Sequence, residues 1–208
     1  MKTQSFISFF LLIFVVNALT IKIKSCSAQQ FVLLKKYENK VFDKNIKTVM
    51  LYKSGMPLSD PIISLNTDEK LEMHFDNFSD SRKNYHYTLI HCNALWEPSS
   101  LSQYEYLKGH GSGQITNVES SFNTTYEYFH YSLTFPEEEI YPLVSGNYVI
   151  MVFEDYNMDK PVLLRQFYVT ESLVNLEVTI KPPSGDGYYT HQEIEFSVNY
   201  ENYSITYS

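Results

Sequence analysis

Cysteine is almost missing from this chain: residues 26 and 92 are the only two in 208. If Cys26 belongs to a removed leader, Cys92 stands alone and no intrachain disulfide can form, so a disulfide-stapled scaffold is excluded. Basic residues are also scarce, 16 Lys and Arg against 24 Asp and Glu, a net charge of −8. A phosphate-binding face for nucleic acid does not fit that balance. No histidine- or cysteine-rich cluster marks a cofactor or metal site, and none is expected. Runs of Ala, Leu, Glu and Lys that would build helices are few. Long apolar runs are few too. One, Phe6–Val16, is interrupted by Ser8 and followed by Asn17, Lys22 and Lys24. It is short for a membrane span, which takes about 20 apolar residues.

That run reads as the core of an export signal. Lys2 supplies the positive start, and Ser25–Cys26–Ser27–Ala28 the small-residue cleavage site before Gln29. The competing readings are an uncleaved anchor and a lipidated Cys26. Lys24 lies two residues before that cysteine, where a lipoprotein signal is apolar or small. Removing residues 1–28 takes away three lysines and no acid, leaving 13 basic against 24 acidic residues, or −11.

What the chain has is aromatic residues, 18 Tyr and 14 Phe beside a single Trp, a composition that favours sheet. Asn84–Leu107 is the stretch around which the rest is organised. Tyr85, Tyr87, Leu89 and His91 alternate with His86, Thr88, Ile90 and Cys92, a strand rich on both faces and so expected inside a sheet. It breaks at Asn93–Pro98, where Trp96 sits, and a polar aromatic ladder follows: Leu101, Tyr104, Tyr106 and Leu107. Further strands are expected at Ile46–Tyr52, around Leu71, Met73 and Phe75, at Tyr126–Thr134, and in a hairpin of Asn147–Phe153 and Val162–Val169. Phe31–Asp43 reads as irregular or an edge strand, Pro57–Asn66 as a Pro-bearing edge segment, and Lys108–Asn123 as an exposed loop.

Four chemical readings fall away on spacing. Cys92 and His91 are adjacent on a strand and point to opposite faces, so the thiol has no base beside it; Cys92 reads as a small buried apolar group. Gly109, Gly111 and Gly113 lack the helix that a phosphate cradle needs. Asp155–Asp159 opens like a calcium loop, but Lys160 replaces the required Gly and Gln166 the bidentate Glu. His86 and His91 face opposite ways, and His74 or His130 would have to come from other strands to complete a metal site. Pro136–Ile140 reads as a solvated acidic turn. Asn77–Phe78–Ser79, Asn123–Thr124–Thr125 and Asn202–Tyr203–Ser204 match the glycosylation acceptor pattern.

Leu143–Tyr148 places Tyr148 at a strand start just after Gly146. This is the pattern of the tyrosine corner in immunoglobulin-like sandwiches. The fold expected is therefore all-β: after the leader, an immunoglobulin-like β-sandwich over residues 37–171. Leu173–Ile180, the turn Lys181–Gly187, and Ile194, Phe196 and Val198 would then be the first strands of an incomplete second β domain, since two or three strands make no independent core.

Several runs together resemble one family. They are Ile46–Tyr52 with Ser54–Gly55, Pro61–Asn66, Tyr87–Ser99 around Trp96, Leu101–Leu107, Gln114–Thr116, Ser121–Thr125, His130–Pro136 and Ser145–Tyr148. These resemble the type IX secretion system plug proteins of Bacteroidetes. The resemblance implies a periplasmic, β-rich, non-enzymatic protein closing the periplasmic side of an outer-membrane translocon, held at the membrane through that partner and using no small-molecule substrate. Family members are longer at the C-terminus. Trp96, Tyr104 and Tyr106 are the candidate partner contacts, because aromatic anchors on loops suit reversible protein contact; Tyr148, Gly146 and Cys92 are expected to be structural. The alternative is an exported glycan-binding sandwich with aromatics stacked on sugar rings. A hydrolase has no nucleophile elbow, triad or zinc motif to support it.

Overall fold

Period-2 alternation writes most of this architecture. The computed structural model describes residues 36–185, 187 and 189–200. The leader, Cys26 and the Asn202–Tyr203–Ser204 triplet lie outside the described residues. Leu71, Met73 and Phe75 bury one face of strand β4 (Leu71–Asn77) while Glu72, His74 and Asp76 stay half-exposed on the other. β4 is flanked by β2 (Ile46–Lys53) and β9 (Phe129–Phe135), and β8 (Asn117–Ser120) completes this antiparallel four-stranded sheet. A register shift between Lys47 and Met50, with Thr48 in the left-handed region at φ 51°, interrupts the edge strand β2. Such a bulge blunts an open edge.

The facing sheet is built on β5 (Tyr85–Cys92), paired along its length with β11 (Gly146–Glu154), which pairs in turn with β12 (Pro161–Thr170). All of β5 is buried except half-buried His91. This is the burial its two rich faces require. The far edge of β12 is covered twice: by β1 (Lys40–Val41), antiparallel, and by β3 (Ile62–Ser64), parallel.

The two sheets meet through aromatic rings. Tyr85 of β5 packs edge-on against Phe75 and Tyr131 of the other sheet at 5.4 and 4.9 Å, and Phe135 packs edge-on against Phe167 of β12 at 5.4 Å. Buried tyrosines are acceptable in a core only if each hydroxyl finds a partner. Tyr85 Oη accepts from Asn77 Nδ2 at 3.0 Å, and Tyr131 Oη bridges the Lys83 N–H and carbonyl, both at 2.9 Å. Tyr85 and Tyr131 are thus core residues with bonded hydroxyls, whereas the buried Tyr37 hydroxyl has no hydrogen-bond partner among the described residues.

Two expectations are corrected. Lys108–Asn123 is not a plain loop: β6 (Leu107–Gly109), β7 (Gly113–Gln114) and β8 lie within or across it, and Ile115 is buried. Glycine hid these strands, and Gly109 is needed there for close approach. At φ 86° an added Cβ would sit 2.2 Å from the Glu139 carbonyl oxygen, on the strand β10 (Ile140–Pro142) side of the β6–β10 ladder. Leu101–Leu107 is not an extended ladder but contains one helical turn, α1 (Gln103–Tyr106). Ser102 and Glu105 have the three-residue separation of a capping box, and the Glu105 carboxylate accepts from the Ser102 N–H and hydroxyl at 2.7 Å each.

Beyond Glu171, β13 (Asn175–Lys181) and β14 (Glu193–Asn199) pair only with each other. Leu176, Val178 and Ile180 oppose Val198, Phe196 and Ile194 on one face of this hairpin, all of them exposed. A lone two-stranded sheet is marginal in water. No helix among the described residues is long and apolar enough to cross a membrane.

Candidate partner-contact site

The turn after β5 is templated by Asn93. Its Oδ1 accepts from the Leu95 and Glu97 N–H groups at 2.8 and 3.0 Å, while its backbone N–H donates to the Glu97 carbonyl at 2.9 Å. This is the local side-chain-to-backbone bonding that lets Asn compete with regular structure. Trp96 consequently sits in the left-handed region at φ 64°, a conformation that costs a bulky L-residue about 1–2 kcal/mol. The conformation turns the indole onto the sheet, edge to face with Tyr168 at 5.4 Å. The Trp96 carbonyl accepts from the Tyr37 N–H at 2.8 Å, tying the N-terminal lead-in to the same turn.

Around the half-buried Trp96 lie apolar groups that the sequence did not single out. Leu95 is 66% exposed, and Tyr168 and its register partner Ile62 are about 40% exposed. Their signal was present only as an outward-facing aromatic in β12, which becomes notable once the turn is known to reach it. Tyr104, on α1, is 86% exposed. No ring contact among the described residues joins it to Trp96.

Tyr106 is buried and belongs elsewhere. Its ring lies against His91 and Tyr148, and its carbonyl accepts from the Leu143 N–H at 2.9 Å. Tyr148 Oη donates to the Val144 carbonyl at 2.8 Å and lies 3.3 Å from the Tyr106 carbonyl. This is the corner geometry of sandwich domains, a phenol bonded to backbone four residues upstream. Burial pushes the Tyr148 hydroxyl far above the ordinary tyrosine range. Gly146 makes room for the neighbouring imidazole: at φ 145°, a Cβ there would stand 2.5 Å from His91 Nε2. His91 is held below the ordinary histidine value, chiefly by burial, although Nε2 lies 3.3 Å from the Ser145 carbonyl. Burial pushes the Cys92 thiol up to about 12, so it is a protonated, buried group whose Sγ lies 3.8 Å from the Ile90 carbonyl.

The turn thus sets a left-handed Trp96 against Tyr168, with Leu95 and Ile62 exposed to solvent nearby. Comparison with known proteins gives the chain a family. Residues 46–171 match the model of the "Type 9 secretion system plug protein 1st domain".

The chain belongs to that plug family.

The match covers both sheets of the sandwich apart from β1, with the Trp96 turn and the tyrosine corner. A crystal structure of a hypothetical protein from Parabacteroides merdae is similar over 83% of this chain, with a TM-score of 0.73 and 32% identity. This chain spans 44% of that protein's length. A Niemann-Pick type C2 protein from the Japanese carpenter ant aligns at a TM-score of 0.35 and 14% identity, over 65% of this chain and 98% of its own, too low to carry an argument. No curated protein matches the chain.

Proposed function

We propose that this chain is a non-enzymatic, periplasmic component of the type IX secretion system that closes the periplasmic side of the outer-membrane translocon by protein–protein contact. Membership of the plug family is the observation that carries the reading. The surface is consistent with it. Trp96 packs on Tyr168, whose register partner Ile62 is exposed with Leu95, and Tyr104 stands out separately. Aromatic anchors of this kind dominate protein contacts. Trp96 and Tyr104 are the contact residues proposed, joined by Tyr168; Tyr106 supports the corner from inside.

The β13–β14 hairpin is proposed as the opening of a second β domain. Its exposed apolar face requires cover, and the chain spans only 44% of the similar Parabacteroides protein.

Affinity-tagged protein recovered from its own envelope is expected to bring the outer-membrane translocon with it. Trp96→Ala combined with Tyr168→Ala should weaken that association by on the order of 2 kcal/mol, roughly thirtyfold, with an unchanged circular dichroism spectrum. Undiminished recovery by the folded double variant refutes the contact assignment. Recovery of envelope polysaccharide in place of protein, lost in Trp96→Ala, refutes the plug reading and favours glycan binding.

A further inference from the structure

Two tight turns follow one another between β2 and β3. Each is closed by a backbone hydrogen bond from its fourth residue to its first: the Met56 N–H donates to the Lys53 carbonyl at 2.8 Å, and the Ser59 N–H to the Met56 carbonyl at 3.1 Å. In both, the third residue lies in the left-handed region, Gly55 at φ 75° and Leu58 at φ 71°. A turn with its third residue left-handed is of the type II kind, which takes Gly or Asn there and often Pro before it. The first turn obeys that rule with Gly55. The second has the proline, Pro57, but sets a leucine where the rule asks for glycine.

Inside the fold, nothing offsets that choice. Leu58 is 96% exposed, so its side chain buries almost no apolar area against the cost of a backbone conformation that its Cβ disfavours. Nor is the segment slack. Ser59 Oγ accepts from the Lys53 N–H at 3.0 Å, the Ser54 N–H donates to the Lys70 carbonyl at 2.8 Å, and Ser54 Oγ donates to Glu72 Oε1 at 2.6 Å. On the far side, the Ile62 N–H donates to the Asp60 carbonyl at 2.9 Å. These bonds hold an apolar side chain in one position in solvent, and a contact made by a pre-ordered group loses little entropy on binding. A local rule broken without internal compensation is the mark of a functional position.

We propose that Leu58 is an anchor that inserts into an apolar pocket of a protein partner. The inference rests on the plug reading: the partner is the outer-membrane translocon that Trp96 and Tyr168 meet. Leu58 is three residues from Pro61, no more than about 11 Å of extended chain, and the Pro61 carbonyl accepts from the Tyr168 N–H at 3.0 Å. One partner therefore reaches both the anchor and the aromatic pair. Exposed Met56 and Pro57 flank Leu58 with further apolar surface. Asp60 and the Glu72 carboxylate beside the turns set like charge against an anionic lipid surface, which favours a protein as the occupant.

Leu58→Asn tests this, because asparagine suits the left-handed position and removes the apolar group. It should melt about 2–4 °C above wild type, while affinity for the purified translocon falls about 10–100-fold, the worth of burying one fully exposed leucine. Leu58→Met keeps an apolar side chain of similar volume and should retain most of the affinity. Undiminished binding by Leu58→Asn, with Trp96→Ala combined with Tyr168→Ala still weakened, overturns the Leu58 assignment and leaves the plug reading standing. If the wild-type chain does not bind the translocon, the plug reading fails and takes this inference with it. A lower melting temperature for Leu58→Asn also overturns it, since the fold itself then needs the leucine. So does loss of self-association, or of binding to anionic phospholipid vesicles, in Leu58→Asn with translocon binding intact.

Discussion

Replacing Tyr148 by phenylalanine removes a single oxygen from a fully buried ring and leaves its packing on Phe167, at 5.4 Å, in place. The hydroxyl donates to the Val144 carbonyl at 2.8 Å and lies 3.3 Å from that of Tyr106. A lost intramolecular hydrogen bond costs about 0.5–1.5 kcal/mol net, and a buried acceptor left without its donor raises this to about 1–3 kcal/mol. Val144 is only half-buried, so water recovers part of the loss. The Tyr106 carbonyl keeps the Leu143 N–H. A value of about 1 kcal/mol follows, a drop in melting temperature of roughly 2–4 °C for a chain of this size. Urea and thermal unfolding measure it. Tyr104→Phe, at a residue 86% exposed, is the control and should stay within about 0.5 kcal/mol of wild type. If both variants match wild type, the corner bond contributes nothing and the account of this bend is wrong.

Gly146→Ala should destabilise by about 1–3 kcal/mol, since it joins an unfavourable φ to an intruding Cβ. Adding His91→Ala to it removes the ring that the Cβ meets at 2.5 Å, so the two changes together should cost less than the sum of each alone, as a double-mutant cycle in urea will show. His86 and His91 are both held below the ordinary histidine value, mainly by burial. The unfolded chain therefore binds protons first as pH falls through about 6.5. The stability these two residues support is complete above that pH and declines below it. His86→Phe, which keeps a ring between Phe153 and Tyr156 at 6.0 and 3.8 Å, should flatten the decline between about pH 6.5 and 5.5. An unchanged slope refutes the assignment.

The long strands were legible because each carries a face pattern several residues deep. β4 shows clean alternation and buries the three residues expected of it, and β5, rich on both sides, is buried on both. The β11–β12 hairpin likewise lies where its two apolar runs place it. Short strands escaped for the opposite reason. β7 is Gly113–Gln114, too few residues to show a period, and its existence follows from pairing with His86 and Tyr87. Similarly, β3 is recruited by β12 in parallel, a pairing that no local pattern encodes. α1 is the exception: Ser102 and Glu105 have the spacing of a helix start, while the aromatic ladder of Leu101, Tyr104, Tyr106 and Leu107 names no element.

The contact surface was harder to read because exposure is a property of the tertiary fold. Tyr104 and Tyr106 are alike in sequence, two aromatics separated by Glu105, and strand periodicity would send both the same way. One helical turn rotates them by about 200° relative to each other, so that Tyr104 points to water and Tyr106 enters the core beside Tyr148. Trp96 lacks even that local rule. Its direction is set by Asn93, whose side chain forces the left-handed turn, and by Tyr168, which lies on a strand 72 residues further along the chain. A contact residue of this kind is specified by a turn and a distant receiving ring together. Its neighbours Leu95 and Ile62 join the surface only after both are in place.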